Sequence, residues 1–229
     1  MGEQIPGIPF KSTINKSDFT FDWNKYGKEL EQSLFLNFHK QKTKNEDDEI
    51  KQKVFELQSK LKPEVPKLSD EFVEKVVRLA GKVKCKPEDL LAIMYHESGG
   101  WNPAITAKNK NGEILYGGLI QMNRQSLKII STQYSDSLNL KSNISMEEYL
   151  KLSREKQLDY AEGYFILMKD RCNLEKKDAL TAGETWGMLK SPRLTKAHNN
   201  KFLQKLSRHV DRIKMKIFKE EVHSIDVKN

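Results

Sequence analysis

Apolar positions recur at helical spacing along most of the chain. Between Asp22 and about Lys42, Trp23, Tyr26, Leu30, Leu34 and Phe38 fall on one face. The polar run KTKNEDDE makes a turn, and Ile50, Val54, Leu57 and Leu61 then mark a second helix with near-heptad spacing. Together the two predict an N-terminal helical hairpin. Residues 1–20, with Pro6, Gly7 and Pro9 and few periodic apolar positions, read as an extended arm. Pro63 and Pro66 break the second helix. Ser69 is an N-cap signal for a helix carrying Phe72, Val73, Val76, Val77, Ala80 and Val83.

The next helix opens at Pro87, which suits a first helical position, with Glu88 and Asp89 in the turn where the helix dipole favours negative charge. It closes at Gly99 and Gly100, which can take the left-handed conformation that ends a helix. Leu90, Ile93, Met94 and Glu97 share one face. A Glu set against an apolar wall loses solvation, which favours its protonated form. That is the property a general acid needs, and glycoside cleavage uses one in this way.

Further along, Asn111-Gly112 is a hairpin-turn dipeptide followed by Ile114, Leu115 and Tyr116, so a small β-hairpin or a lid-like loop is expected. A helix through Leu127, Ile129 and Ile130 to about Tyr134 comes next, then a loop. Ser145-x-x-Glu148 has the form of a capping box, and Ser153 caps a longer helix with Leu158, Ala161, Phe165 and Met168 on one side. A terminal helix sets Phe202, Leu206, Val210, Ile213 and Ile217 on one stripe, with Lys201, Lys205, Arg208, Arg212, Lys216 and Lys219 elsewhere. Such a basic amphipathic helix either touches a membrane, nucleic acid or wall polymer, or packs by its stripe and solvates the rest; the second reading is preferred.

Glu97-Ser98-Gly99-Gly100-Trp101-Asn102-Pro103, followed by Gly117-Gly118-Leu119-Ile120-Gln121-Met122, resembles the paired signature motifs of the soluble lytic transglycosylase family, within the lysozyme-like superfamily. Either motif alone carries little; both, in order, after a helix, are specific. The resemblance spans residues 67–195. Gln157 to Phe165 resembles a third motif of phage-type members, in which a Tyr lies on the helix facing the catalytic Glu. Tyr164 aligns best and Tyr160 is the alternative; Tyr164 is equally readable as a core aromatic. ALTAGETWGMLKSP resembles a last motif, with Trp186 where a Tyr is usual, to stack on a sugar face or to pack.

The resemblance implies a mainly α, lysozyme-like catalytic domain at 66–195 with a small β-hairpin. An N-terminal arm and helical hairpin at 1–65 would precede it, either docking to an assembly or extending the core, and a basic C-terminal helix and tail at 196–229 would follow. It implies cleavage of the β-1,4 bond between N-acetylmuramic acid and N-acetylglucosamine, with Glu97 catalytic. Ser98, Gly118, Gln121, Met122, Tyr164 and Trp186 would bind substrate. It implies no cofactor and no metal. Glu113 is the nearest second carboxylate for a hydrolytic alternative, and a non-catalytic lysozyme-like protein of a virion or secretion assembly is the other rival. His96-Glu97 begins an HExxH pattern, but Gly100 stands at its fifth position, which excludes that zinc site.

Composition changes this picture little. Hydrophobic residues make up 37% and charged residues 31% of the 229, so solvated helical arms are expected beside the core. The net charge of +8 suits an anionic polymer, cell wall included, but no motif for specific nucleic-acid binding stands out. Cys85 and Cys172 are either free thiols or one bridge. The start, MGEQIPGIPF, lacks the basic and apolar regions of a signal peptide, and no run is apolar enough to span a membrane. The expected setting is therefore a phage virion, or non-classical export to the cell wall. Peptidoglycan glycan strands would be the partner, with a phage tail or other envelope-spanning assembly reached through residues 1–65.

Overall fold

The helix that carries Glu97 is buried from Asp89 to Met94. A computed structural model describes residues 45–219; the helix expected between Asp22 and Lys42 and the arm before it lie outside the described residues. Residues 48–219 pack as one unit. In order, its helices are α1 (45–60), α2 (Asp70–Val83), α3 (Pro87–Glu97), α4 (Arg124–Gln133), α5 (Met146–Tyr149), α6 (Arg154–Arg171), α7 (Ala182–Lys190), α8 (Pro192–Lys196) and α9 (Asn200–Ile217). Between α3 and α4 lie strands β1 (Thr106–Lys108), β2 (Ile114–Gly117) and β3 (Met122–Asn123). The fold is mainly α with one small antiparallel sheet in the order β1-β2-β3.

Local signals in the sequence account for the helix starts. Ser69 accepts from Phe72 N–H, Asn123 from Ser126 N–H and Ser153 from Lys156 N–H. Ser145 with Glu148, and Thr181 with Glu184, close full capping boxes. Asn111-Gly112 lies in the connection between β1 and β2, where Gly112 takes φ +83 and its N–H donates to Asn109 O at 3.0 Å. The sheet exceeds the expected hairpin by one strand, because Gly117 and Tyr116 pair onward with Met122 and Asn123.

Packing around α3 is wider than one face. Leu90, Leu91, Ala92, Ile93 and Met94 are all fully buried, since α2, α7 and α9 each contact the helix. A helix apolar all round belongs in a core. Helix α9 lies on α7 and α3 through Leu203, Val210, Ile213 and Ile217, with its lysines outward except Lys214, which pairs with buried Asp89 at 2.8 Å. Its apolar stripe is thus committed to the core.

The described part of the N-terminal region also joins that core. Val54, Leu57 and Val65 are buried in it, and Leu61 bridges to Phe218 beyond the end of α9. Lys62 N–H donates to Ile217 O at 2.9 Å, and Lys219 N–H to Lys60 O at 2.7 Å. Residue 65 therefore marks no break in packing, and residues 48–65 extend the core. No helix among the described residues is long and apolar enough to cross a membrane.

Candidate active-site cleft

Glu97 is the last residue of α3. The helix stops there because Gly99 (φ +61) and Gly100 (φ +102) turn the chain, with Gly100 N–H donating to Tyr95 O at 2.9 Å. A carboxylate at a helix C-terminus faces the negative end of the dipole, an unfavourable place without donors nearby. Two are supplied by α7. Trp186 Nε1–H donates to Glu97 Oε1 at 2.6 Å. Lys190 Nζ lies 2.8 Å from Oε1 and 2.9 Å from Oε2. The Glu97 side chain is only 5% exposed, so these contacts are its main surroundings. The apolar wall expected behind Glu97 is present in α3, but the carboxyl itself meets an indole N–H and an ammonium.

Trp186 is fixed in turn. It is 3% exposed, and its ring meets His96 at 5.2 Å and His209 of α9 at 5.1 Å between centroids. Burial, more than any neighbouring charge, pushes the His96 imidazole down from its ordinary range. A buried indole cannot stack on a sugar. The substrate-stacking role expected of Trp186 gives way to a hydrogen bond with Glu97.

The two motif segments are held together by a residue outside both. Gln157 of α6 is fully buried; its Oε1 accepts from Leu119 N–H at 3.0 Å, and its Nε2 donates to Pro103 O at 2.8 Å and Tyr149 O at 3.0 Å. Gly118, at φ +78, passes so close that a Cβ would sit 2.6 Å from Gln157 Oε1 and 2.7 Å from the Tyr149 ring. Only glycine fits there. Trp101 is buried and donates to Leu91 O at 3.0 Å, which pins the first motif's loop on α3.

A cleft of about 490 Å³ opens between the sheet and α7, with Glu97 in its wall. Tyr116, Ile120 and Gln121 line one side and Leu189 and Lys190 the other. Tyr116 is 44% exposed and lines the cleft, and Gln121, at φ +51, donates to Gly118 O at 3.1 Å while lining it.

The remaining expected residues do not line this cleft. Ser98 is buried and its hydroxyl donates to Met94 O at 2.6 Å, so it closes the helix rather than orienting Glu97 or a sugar. Met122 is a core residue of β3, and Gly118 acts through its backbone. Tyr164 donates to Met188 O at 3.2 Å and supports α7 from behind; burial pushes its phenol up to about 12. Tyr160 faces the backbone of Lys141. Glu113 is exposed beside the hairpin turn, its Oε2 accepting from Asn109 Nδ2 at 2.6 Å. Among the described residues no three His, Cys, Asp or Glu side chains group closely enough to hold a metal ion, and Cys85 and Cys172 are free thiols.

Sequence reasoning gave no site role to Lys190, Tyr116 or Gln157. For Lys190 the signal was present. Thr181-x-x-Glu184 announces a helix, and Trp186 and Lys190 stand four apart on it, hence on one face.

No family model, curated protein or solved structure matches the chain.

Proposed function

We propose that the chain is a lytic transglycosylase of lysozyme-like fold that cleaves the β-1,4 bond between N-acetylmuramic acid and N-acetylglucosamine in peptidoglycan. One observation carries this reading: both signature segments converge on one cleft, with Glu97 and Gln121 lining it together. The arrangement supplies a single carboxyl beside an exposed tyrosine and a side-chain amide, the groups that suit a glycan bearing N-acetyl substituents. Glu97 protonates the glycosidic oxygen as the bond breaks. The resulting carboxylate then takes the proton of the muramoyl 6-hydroxyl, whose oxygen closes on C1 to give a 1,6-anhydro end. No water is consumed, and Glu97 returns to its starting state. The setting proposed with it is local wall degradation at the start of phage infection or at release.

A structural reading has one observation in its favour. Glu97 is engaged by Trp186 and Lys190, as a carboxylate that merely tied α3 to α7 would be. Glu97→Gln separates the two. The amide keeps the shape and removes the titratable proton. If Glu97 is the acid, lysis of purified walls falls by roughly 100- to 10,000-fold with the circular dichroism unchanged. Lysis near wild type in the folded variant removes the enzymatic assignment to Glu97.

A further inference from the structure

The mechanism needs Glu97 protonated, yet an ammonium stands 2.8 Å from its carboxyl. A cation so near favours the carboxylate form. The geometry around Lys190 shows how both facts can hold. Lys190 is the last residue of α7, its side chain 43% exposed, reaching back over the Trp186 ring at 5.7 Å. Trp186 is buried and fixed, whereas Lys190 lies on the rim of the cleft and can swing to water on its flexible stem.

Resting on the glycan-cleaving reading above, we propose that Lys190 is a displaceable counter-ion. It pairs with Glu97 in the open cleft and gives way when a glycan strand enters, which takes the ammonium away from the carboxyl and favours the protonated acid only once substrate is bound. The groups facing Glu97 support this. From α7 there remains the uncharged Trp186; from α3, His96, whose imidazole burial shifts down; from α6, the phenol of Tyr164, pushed up by burial. Tyr116 of β2 faces the cleft across from it, and His209 of α9 lies behind Trp186. Lys216 of α9 acts on His96. The strand's apolar sugar faces would exclude water from the same space, which raises the cost of a lone charge there. Lys190 is thus a positioning residue, acting through Glu97.

The test follows the Glu97 carboxyl carbon by NMR in the full chain labelled at glutamate, assigned by its loss in Glu97→Gln. The probe is a thioether-linked tetrasaccharide of N-acetylglucosamine, which resists cleavage. In the wild type, saturating probe should move the midpoint of the carboxyl titration to higher pH. Lys190→Met keeps the stem over Trp186 and should raise that midpoint without probe. Lys190→Arg should restore the wild-type midpoint. On glycan strands, the alkaline limb of the kcat/KM profile should move up in Lys190→Met. A Lys190→Met variant that titrates as wild type, or a wild type unmoved by the probe, overturns the proposal. Failure of the wild type to cleave glycan strands at any pH instead overturns the enzymatic reading on which it rests.

Discussion

The indole N–H of Trp186 donates to Glu97 Oε1 at 2.6 Å, tying the end of α3 to the middle of α7. This bond crosses between two helices that the chain reaches 89 residues apart. It fixes the carboxyl orientation that Lys190 then completes, and it does so from a ring that His96 and His209 hold in place.

Trp186→Phe removes that donor while keeping an aromatic ring in the site. A hydrogen bond to a charged group is worth roughly 1.5–3 kcal/mol, so kcat/KM for glycan cleavage should fall by about 10- to 100-fold. Glycan affinity, measured by titration in the Glu97→Gln background, should change little, because the indole does not line the cleft. Unchanged turnover in Trp186→Phe would show that the carboxyl is held without it.

Much of this fold was legible because local signals and periodicity agreed. Ser69, Ser145 and Ser153 each cap the helix they announce, and Leu90, Ile93 and Met94 are buried as their spacing requires. Tertiary choices were not legible. Nothing local says that Leu91 and Ala92 are buried too; that follows from α2, α7 and α9 all packing on α3. Ser98 and Met122 stand in the motif segments, yet their side chains serve the helix end and the core. Motif membership marked the segment, while the facing of each side chain was decided by packing. The role of Gln157 was hidden for the same reason: its three partners lie 8, 38 and 54 residues away.

Gln157→Ala should be among the most damaging single changes in the chain. It leaves Leu119 N–H, Pro103 O and Tyr149 O without their partner, in a buried place. Each orphaned group costs roughly 1–3 kcal/mol, so a loss of about 3–5 kcal/mol is expected from the urea midpoint. Gln58→Ala serves as the control. Gln58 bonds Asp70 at 2.8 Å on the surface, and its loss should lie within about 0.5 kcal/mol. Equal, small effects of the two variants would mean that water replaces Gln157 in the fold.

Alkaline conditions should weaken the fold through Cys85. Burial, reinforced by the Asp89 charge, pushes its thiol up to about 12. A thiol in the unfolded chain ionises near about 8.5. The unfolded state therefore sheds its proton first and binds fewer protons than the native state between these values, so stability falls as pH rises through that window. Below it the contribution is fully present. Tyr164 and Cys172, both raised by burial, add slopes of the same sign. Melting temperatures between pH 8 and 11 should fall less steeply in Cys85→Ala than in the wild type. In the folded protein at pH 8, Cys85 should also resist thiol reagents, since the thiolate is the reactive form. Parallel melting curves, or rapid native labelling, would contradict this.

The product of cleavage should be a 1,6-anhydromuramic end rather than a reducing sugar. Most glycosidases place two carboxylates across the scissile bond, one as acid and one as nucleophile or base. Among the described residues that line the cleft, Glu97 is the one carboxylate. Glu113, the nearest alternative in sequence, is exposed beside its turn; Asn109 donates to its carboxylate, and its backbone N–H donates to Asn109 Oδ1 at 2.9 Å, so it belongs to the turn's own structure. The oxocarbenium-like state then needs another partner, and the substrate's own 2-acetamido group can supply one, as in substrate-assisted enzymes. With Glu97 ionised after it has protonated the leaving oxygen, the proton proposed to complete the reaction comes from the 6-hydroxyl of the same sugar. Mass spectrometry of muropeptides released in heavy-oxygen water reads the outcome directly. Anhydro ends carry no label and weigh one water less than hydrolytic ends. Labelled reducing ends as the main product would replace the transglycosylase with a hydrolysing muramidase, and Glu113→Gln should then reduce that hydrolysis. Unlabelled anhydro ends, with Glu113→Gln as active as the wild type, are the expected result.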